Sequence, residues 1–99
     1  MEANAEEIIM GFNKIAASIF SSFFEQFSSA ALKLNRRTDE NVFQMQIAKY
    51  VSAIRSSLEQ QAQNYFRNYS GTNRKELQAA ISARIAYYLQ EFRRKCHSL

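Results

Sequence analysis

The chain contains no proline, no tryptophan, two glycines (Gly11 and Gly71) and one cysteine, Cys96. A β-rich fold of 99 residues needs many tight turns, and these draw on glycine, proline and Asn-Gly pairs. With those residues almost missing, turns must be few and the elements long, which means helices. A lone cysteine cannot close an internal disulfide, so a reducing compartment is expected. The first residues, MEANAEEII, are acidic where a secretory signal or transit peptide is basic, so neither is expected. The most apolar stretch, residues 8–34, is broken by Asn13, Lys14, Glu25 and Gln26 and is no bilayer span. The sequence reads as one soluble intracellular domain of residues 1–99, with membrane association disfavoured.

What is present is periodic. Ile8, Phe12, Ile15, Ile19, Phe23, Phe27, Ala30 and Leu34 recur at steps of three and four, the helical signature. Ile9, Ala16, Phe20, Phe24 and Ala31 form a second stripe beside the first. The double stripe covers about half the helix circumference, wider than an ordinary amphipathic face. It suits packing against two neighbours at once, or against a partner chain. The opposite face holds Lys14, Ser18, Ser21, Ser22, Glu25 and Ser28.

Asn35-Arg36-Arg37-Thr38 breaks the pattern, and either Thr38 or Asp39 can cap the second helix. Phe43, Ile47, Val51, Ile54, Leu58, Ala62, Tyr65 and Tyr69 make a second, one-sided stripe with Tyr50 on the same side. Tyr69-Ser70-Gly71-Thr72-Asn73 is the next breaker, with Gly71 suited to ending a helix and Thr72 or Asn73 to starting one. Asn73 and Glu76 have capping-box spacing. Leu77, Ile81, Ile85, Tyr88 and Phe92 then form the third stripe, with Leu89 alongside. Ala79, Ala83 and Ala86 leave its back face small. The expected fold is all-α: three long antiparallel amphipathic helices over residues 5–34, 39–69 and 73–95, an up-down-up bundle joined by connections of three to five residues. Five phenylalanines, Phe12, Phe20, Phe23, Phe24 and Phe27, exceed what one slender core is expected to absorb. Oligomerisation, a bound partner, or a bent first helix would resolve the surplus.

Chemistry-bearing clusters are scarce. Cys96 and His97 make only half a zinc site, and the chain has no other cysteine or histidine to complete it. As neighbours on a terminal segment they lack the orienting third group of a nucleophilic pair, and a frayed tail is expected there. Cys96-His97-Ser98-Leu99 has a cysteine in the prenylation position, but the two middle residues are not aliphatic. Glu6-Glu7 and Asp39-Glu40 sit near helix starts, where the helix dipole alone accounts for them. No phosphate-cradling glycine motif occurs. An enzyme is not expected, nor a cofactor, a metal or a small-molecule substrate.

Charge is uneven. Residues 1–31 hold four acids and one base (net −3), whereas residues 32–99 hold five acids and twelve bases (net +7). A mixed solvated surface accounts for this, and so would an anionic partner. Two functional expectations arise. The first is a protein–protein interaction module that self-associates or docks through Phe12, Phe20, Phe23, Phe24 and Phe27. The alternative is a small nucleic-acid-binding or regulatory protein using Arg67, Arg74, Lys75, Tyr87, Arg93, Arg94 and Lys95, with phosphate contacts from the bases and stacking on the tyrosine.

Overall fold

A computed structural model describes residues 5–35, 38–67, 69 and 74–99. Three helices succeed one another: α1 (Ala5–Ala31), α2 (Glu40–Arg67) and α3 (Arg74–His97). Each packs on both others, giving a three-helix bundle of 54 × 18 × 18 Å. At 1.5 Å per residue the helices are about 36–42 Å long, so each runs most of the length of the rod.

The expected boundaries shift at the first connection. α1 ends three residues early, which lengthens that connection to eight residues. The first connection is closed by Asp39. Its backbone N–H donates to the Asn35 carbonyl (2.7 Å), its carboxylate accepts from the Asn35 N–H (2.9 Å), and its carbonyl accepts the first α2 bond from Phe43 (2.8 Å). Asp39 is thus the N-cap residue, one of the two expected positions. The expected caps at Gly71, Thr72 and Asn73 lie outside the described residues. At the far end the expected frayed tail is instead ordered helix. α3 runs to His97, and Cys96 is fully buried within it.

The broad α1 stripe packs against two neighbours at once. On the α2 side Phe12 meets Tyr65 edge-on, Phe23 meets Tyr50, and Phe27 meets Phe43 and Tyr50, with centroids 5.5–6.4 Å apart. On the α3 side Phe20, Phe24 and Phe27 all meet Phe92, at 5.8–6.1 Å. Edge-to-face aromatic pairs at this spacing add about 0.5–1.5 kcal/mol each beyond the area they bury. The expectation that these five phenylalanines exceed one core is therefore corrected. Phe12, Phe20 and Phe27 are core residues, and Phe23 and Phe24 lie half-buried against it. Aromatic rings from all three helices meet in one layer, so a three-helix core of this girth accommodates them.

Two core residues escape the simple stripes, Phe66 on α2 and Cys96 on α3. Steps of four advance 40° around a helix, so the line Ile54–Leu58–Ala62–Phe66 drifts sideways as it descends. Phe66 thereby takes a buried place, and Tyr65 is left half-buried. On α3 Leu89 is buried, whereas Ile85 and Tyr88 lie half-buried against the core. Ala79, Ala83 and Ala86 stay exposed, unused by either neighbour.

Gly11 on α1 lies close against Tyr65 of α2. A Cβ built there would stand 2.9 Å from the Tyr65 hydroxyl oxygen and 3.4 Å from two ring carbons. Alanine gains about 1 kcal/mol of helix propensity over glycine, and the hydroxyl opposes it. Gly11→Ala alone should therefore leave stability nearly unchanged, whereas in a Tyr65→Phe background it should stabilise by about 1 kcal/mol. Urea denaturation of the four proteins reads this directly. Equal effects in the two backgrounds would mean that the hydroxyl imposes no constraint.

Candidate docking surface

Apolar side chains gathered in one exposed region mark contact sites, whereas single exposed ones are ordinary. Among the described residues six large apolar side chains are exposed: Met10, Leu32, Val42, Met45, Tyr87 and Leu99. Helix direction alternates, so the end of α1, the start of α2 and the end of α3 lie together. Leu32 (87% exposed), Met45 (70%), Leu99 (52%) and Val42 (42%) therefore share one end of the rod. A groove of about 430 Å³ opens there, lined by Ser28, Ala31, Leu32, Leu34, Phe43 and Leu99. Leu32 protrudes because its N–H still bonds the Ser28 carbonyl (3.1 Å) in helical register while the chain is leaving the bundle.

Of the five phenylalanines expected at an interface, Phe12 and Phe27 have no exposed surface to offer and Phe20 has little. Phe23 borders a shallow α1/α2 groove with Gln26, Lys49, Tyr50 and Ala53. Phe24 stacks on Phe20 (6.3 Å, 9° between planes) and is covered from outside by Lys95. The Lys95 ammonium stands 5.4 Å from the Phe20 centroid and 5.3 Å from that of Phe24. A cation held over ring faces at such distances contributes about 0.5–1 kcal/mol where water is close.

The basic residues expected to act together are held apart. Arg67 closes α2, and Arg74 and Lys75 open α3, placing these three at one end. Arg93, Arg94 and Lys95 lie about 27 Å away at the other, given eighteen residues of helix between Lys75 and Arg93. Arg94 is committed to Glu91, with its Nη2 2.7 Å from one carboxylate oxygen and its Nε 3.2 Å from the same atom. This hydrogen bond holds the Glu91 carboxyl below its ordinary range and raises the Arg94 guanidinium. Tyr87 is half-exposed, edge-on to Tyr88 at 5.5 Å, with the Arg84 guanidinium 6.0 Å from its ring centroid. Residue spacing gives no signal for Leu32, Val42, Met45 and Leu99. Exposure of an isolated apolar residue near a helix end has no periodic signature.

Cys96 is fully enclosed, and burial pushes its thiol up to about 12. The prenylation reading requires a thiol that this arrangement hides. Among the described residues no three of His, Cys, Asp and Glu converge as a metal site requires, and no helix is long and apolar enough to cross a membrane. Comparison with known proteins finds no matching family model, no similar curated protein and no similar solved structure.

Proposed function

We propose that this protein is a non-enzymatic helical interaction module that docks on a protein partner, or on its own copies, through the apolar end of the bundle. The observation that carries the reading is the gathering of Leu32, Val42, Met45 and Leu99, four of the six exposed large apolar side chains among the described residues, at one end of the rod. The surface differs from the one expected of the first helix, because ring packing on α2 and α3 uses most of that helix's aromatic face. What remains of it at the apolar end is Phe24, beneath Lys95.

The end face spans 18 × 18 Å, roughly 320 Å² if flat, against about 800 Å² per partner in a stable interface. Contact confined to this end is thus weak and reversible, and tighter binding must continue onto a flank. Exchanging Leu32 and Met45 together for serine should abolish partner capture from the native cell, or any concentration-dependent mass seen by light scattering. Both side chains are mostly in water, so unfolding free energy should move by less than about 0.5 kcal/mol per site. A doubly substituted protein that keeps its full binding would remove this end from consideration. The nucleic-acid alternative has less support, because the seven side chains do not converge on one face.

A further inference from the structure

Resting on that reading, we propose that the seam between the C-terminal ends of α1 and α3 receives a short amphipathic helix of a protein partner. The incoming helix is apolar where it enters the groove and carries a carboxylate opposite Lys95. The walls of the seam are continuous. On the α1 side Phe24, Ser28 and Leu32 recur at steps of four, so they form one ridge. On the α3 side Lys95 stands about one turn from Leu99, which lines the groove. The ridge thus leads from the groove toward Phe24, over whose ring the Lys95 ammonium lies at 5.3 Å.

Charge selects the partner's chemistry. Of the carboxylates at this end, Glu91 is held by Arg94, Asp39 accepts from the Asn35 N–H and Glu40 from the Gln44 amide, while Glu25 lies exposed on the α1 flank. Lys95 rests on rings, and Lys33 is exposed next to Leu32 and Leu34. Once a docked helix excludes water, a charge-assisted hydrogen bond to a carboxylate is stronger than the solvent-exposed cation–ring contact it replaces. An acidic residue of the partner can thus draw Lys95 aside, opening the ring face of Phe24 to an apolar neighbour. Helix-in-groove recognition works through such apolar anchors at i, i+4 and i+7. An apolar small molecule is a poorer occupant, since ligand pockets enclose most of the ligand's surface, whereas this groove is open and Leu32 projects beyond it. Two copies meeting end on end bury less than a stable interface does and bring Lys95 against a second Lys95, so a second copy is the weaker occupant.

The test titrates the full chain into two short fluorescein-labelled amphipathic helical peptides. Both carry leucines at i, i+4 and i+7; one is flanked by glutamates and the other by lysines. The acidic peptide should bind at least about tenfold more tightly by anisotropy, and Lys95→Glu should reverse that preference. Leu32→Ser should weaken the acidic peptide by about tenfold or more while leaving the thermal melt unchanged, which separates binding from folding. Equal affinity for the two peptides overturns the proposal, and so does an acidic preference that survives Lys95→Glu. Saturable binding to phosphatidylserine vesicles with no peptide binding would assign the surface to lipid instead. A concentration-dependent rise in mass that Leu32→Ser removes and the acidic peptide does not compete would assign it to a second copy. In that case the interaction-module reading stands and the acidic partner falls.

Discussion

Replacing Phe92 by alanine should cost about 3–5 kcal/mol of folding free energy. Phe92 is fully buried and meets four rings, those of Phe20, Phe24, Phe27 and Tyr50, with centroids 5.8–6.4 Å away. These rings come from α1 and α2, so one side chain of α3 ties all three helices together. Truncation removes its own buried surface and leaves a cavity whose walls are stiff aromatic planes that collapse poorly. A domain of this size has about 5–15 kcal/mol in total, so the loss is a large share. At about 4–8 °C per kcal/mol the melting temperature should fall on the order of 20 °C. Tyr87→Ala provides the contrast: its ring is half in water, and it should change stability by about 0.5 kcal/mol or less. Thermal and urea unfolding followed by circular dichroism would show both. A Phe92→Ala protein within about 1 kcal/mol of the parent would mean that the aromatic layer is not packed as described.

The second large effect concerns Cys96. A thiol at about 12 instead of the ordinary 9.0 has roughly a thousandfold less thiolate near neutral pH, because each unit is a factor of ten. Enclosure in the core slows a thiol reagent further, since only opened molecules react. Native protein at pH 8 should therefore leave Ellman's reagent nearly unconsumed, while protein in guanidinium reacts with one equivalent. Rapid reaction of the native chain would show that the last turn of α3 is open.

The same burial fixes the sign of a pH effect. The folded state holds the Cys96 proton more tightly than the unfolded state does. Its contribution is complete below about pH 9 and is lost as pH rises toward 12, where the unfolded chain deprotonates first. Between those values stability should fall by up to about 1.4 kcal/mol per pH unit from this group. The comparison is with Cys96→Ala, which lacks this group alone. The variant should lose stability less steeply above pH 9, and parallel curves would remove Cys96 as the cause.

Legibility in the sequence differs from feature to feature. The three helices, their order and their inward faces are readable because burial on a helix repeats every three or four residues, and few turn residues compete. Asp39 is readable as a cap because short acceptor side chains at helix starts have a local mechanism. Phe66 and Cys96 fall outside the simple stripes because the buried line drifts around each helix by an amount set by how the helices cross. The ring layer of Phe20, Phe24, Phe27, Tyr50 and Phe92 has the look of a surplus when α1 is read alone. Its residues are distant in sequence, and whether one core can hold them depends on the angles and spacing of three helices.

The docking end obeys the same division. Residue spacing alone determined that the chain forms three long helices with apolar faces, because helical periodicity is a local property of the sequence. Which apolar residues stay in water was decided only by the tertiary structure. Leu34 lines a groove and Leu32, two residues earlier, projects into solvent because of where α1 leaves the bundle relative to Phe43 and Leu99. Lys95 likewise reads as one more base near a helix end until α1 brings Phe20 and Phe24 beneath it. Exposure and pairing are relations between segments, and they come into being only when the helices pack.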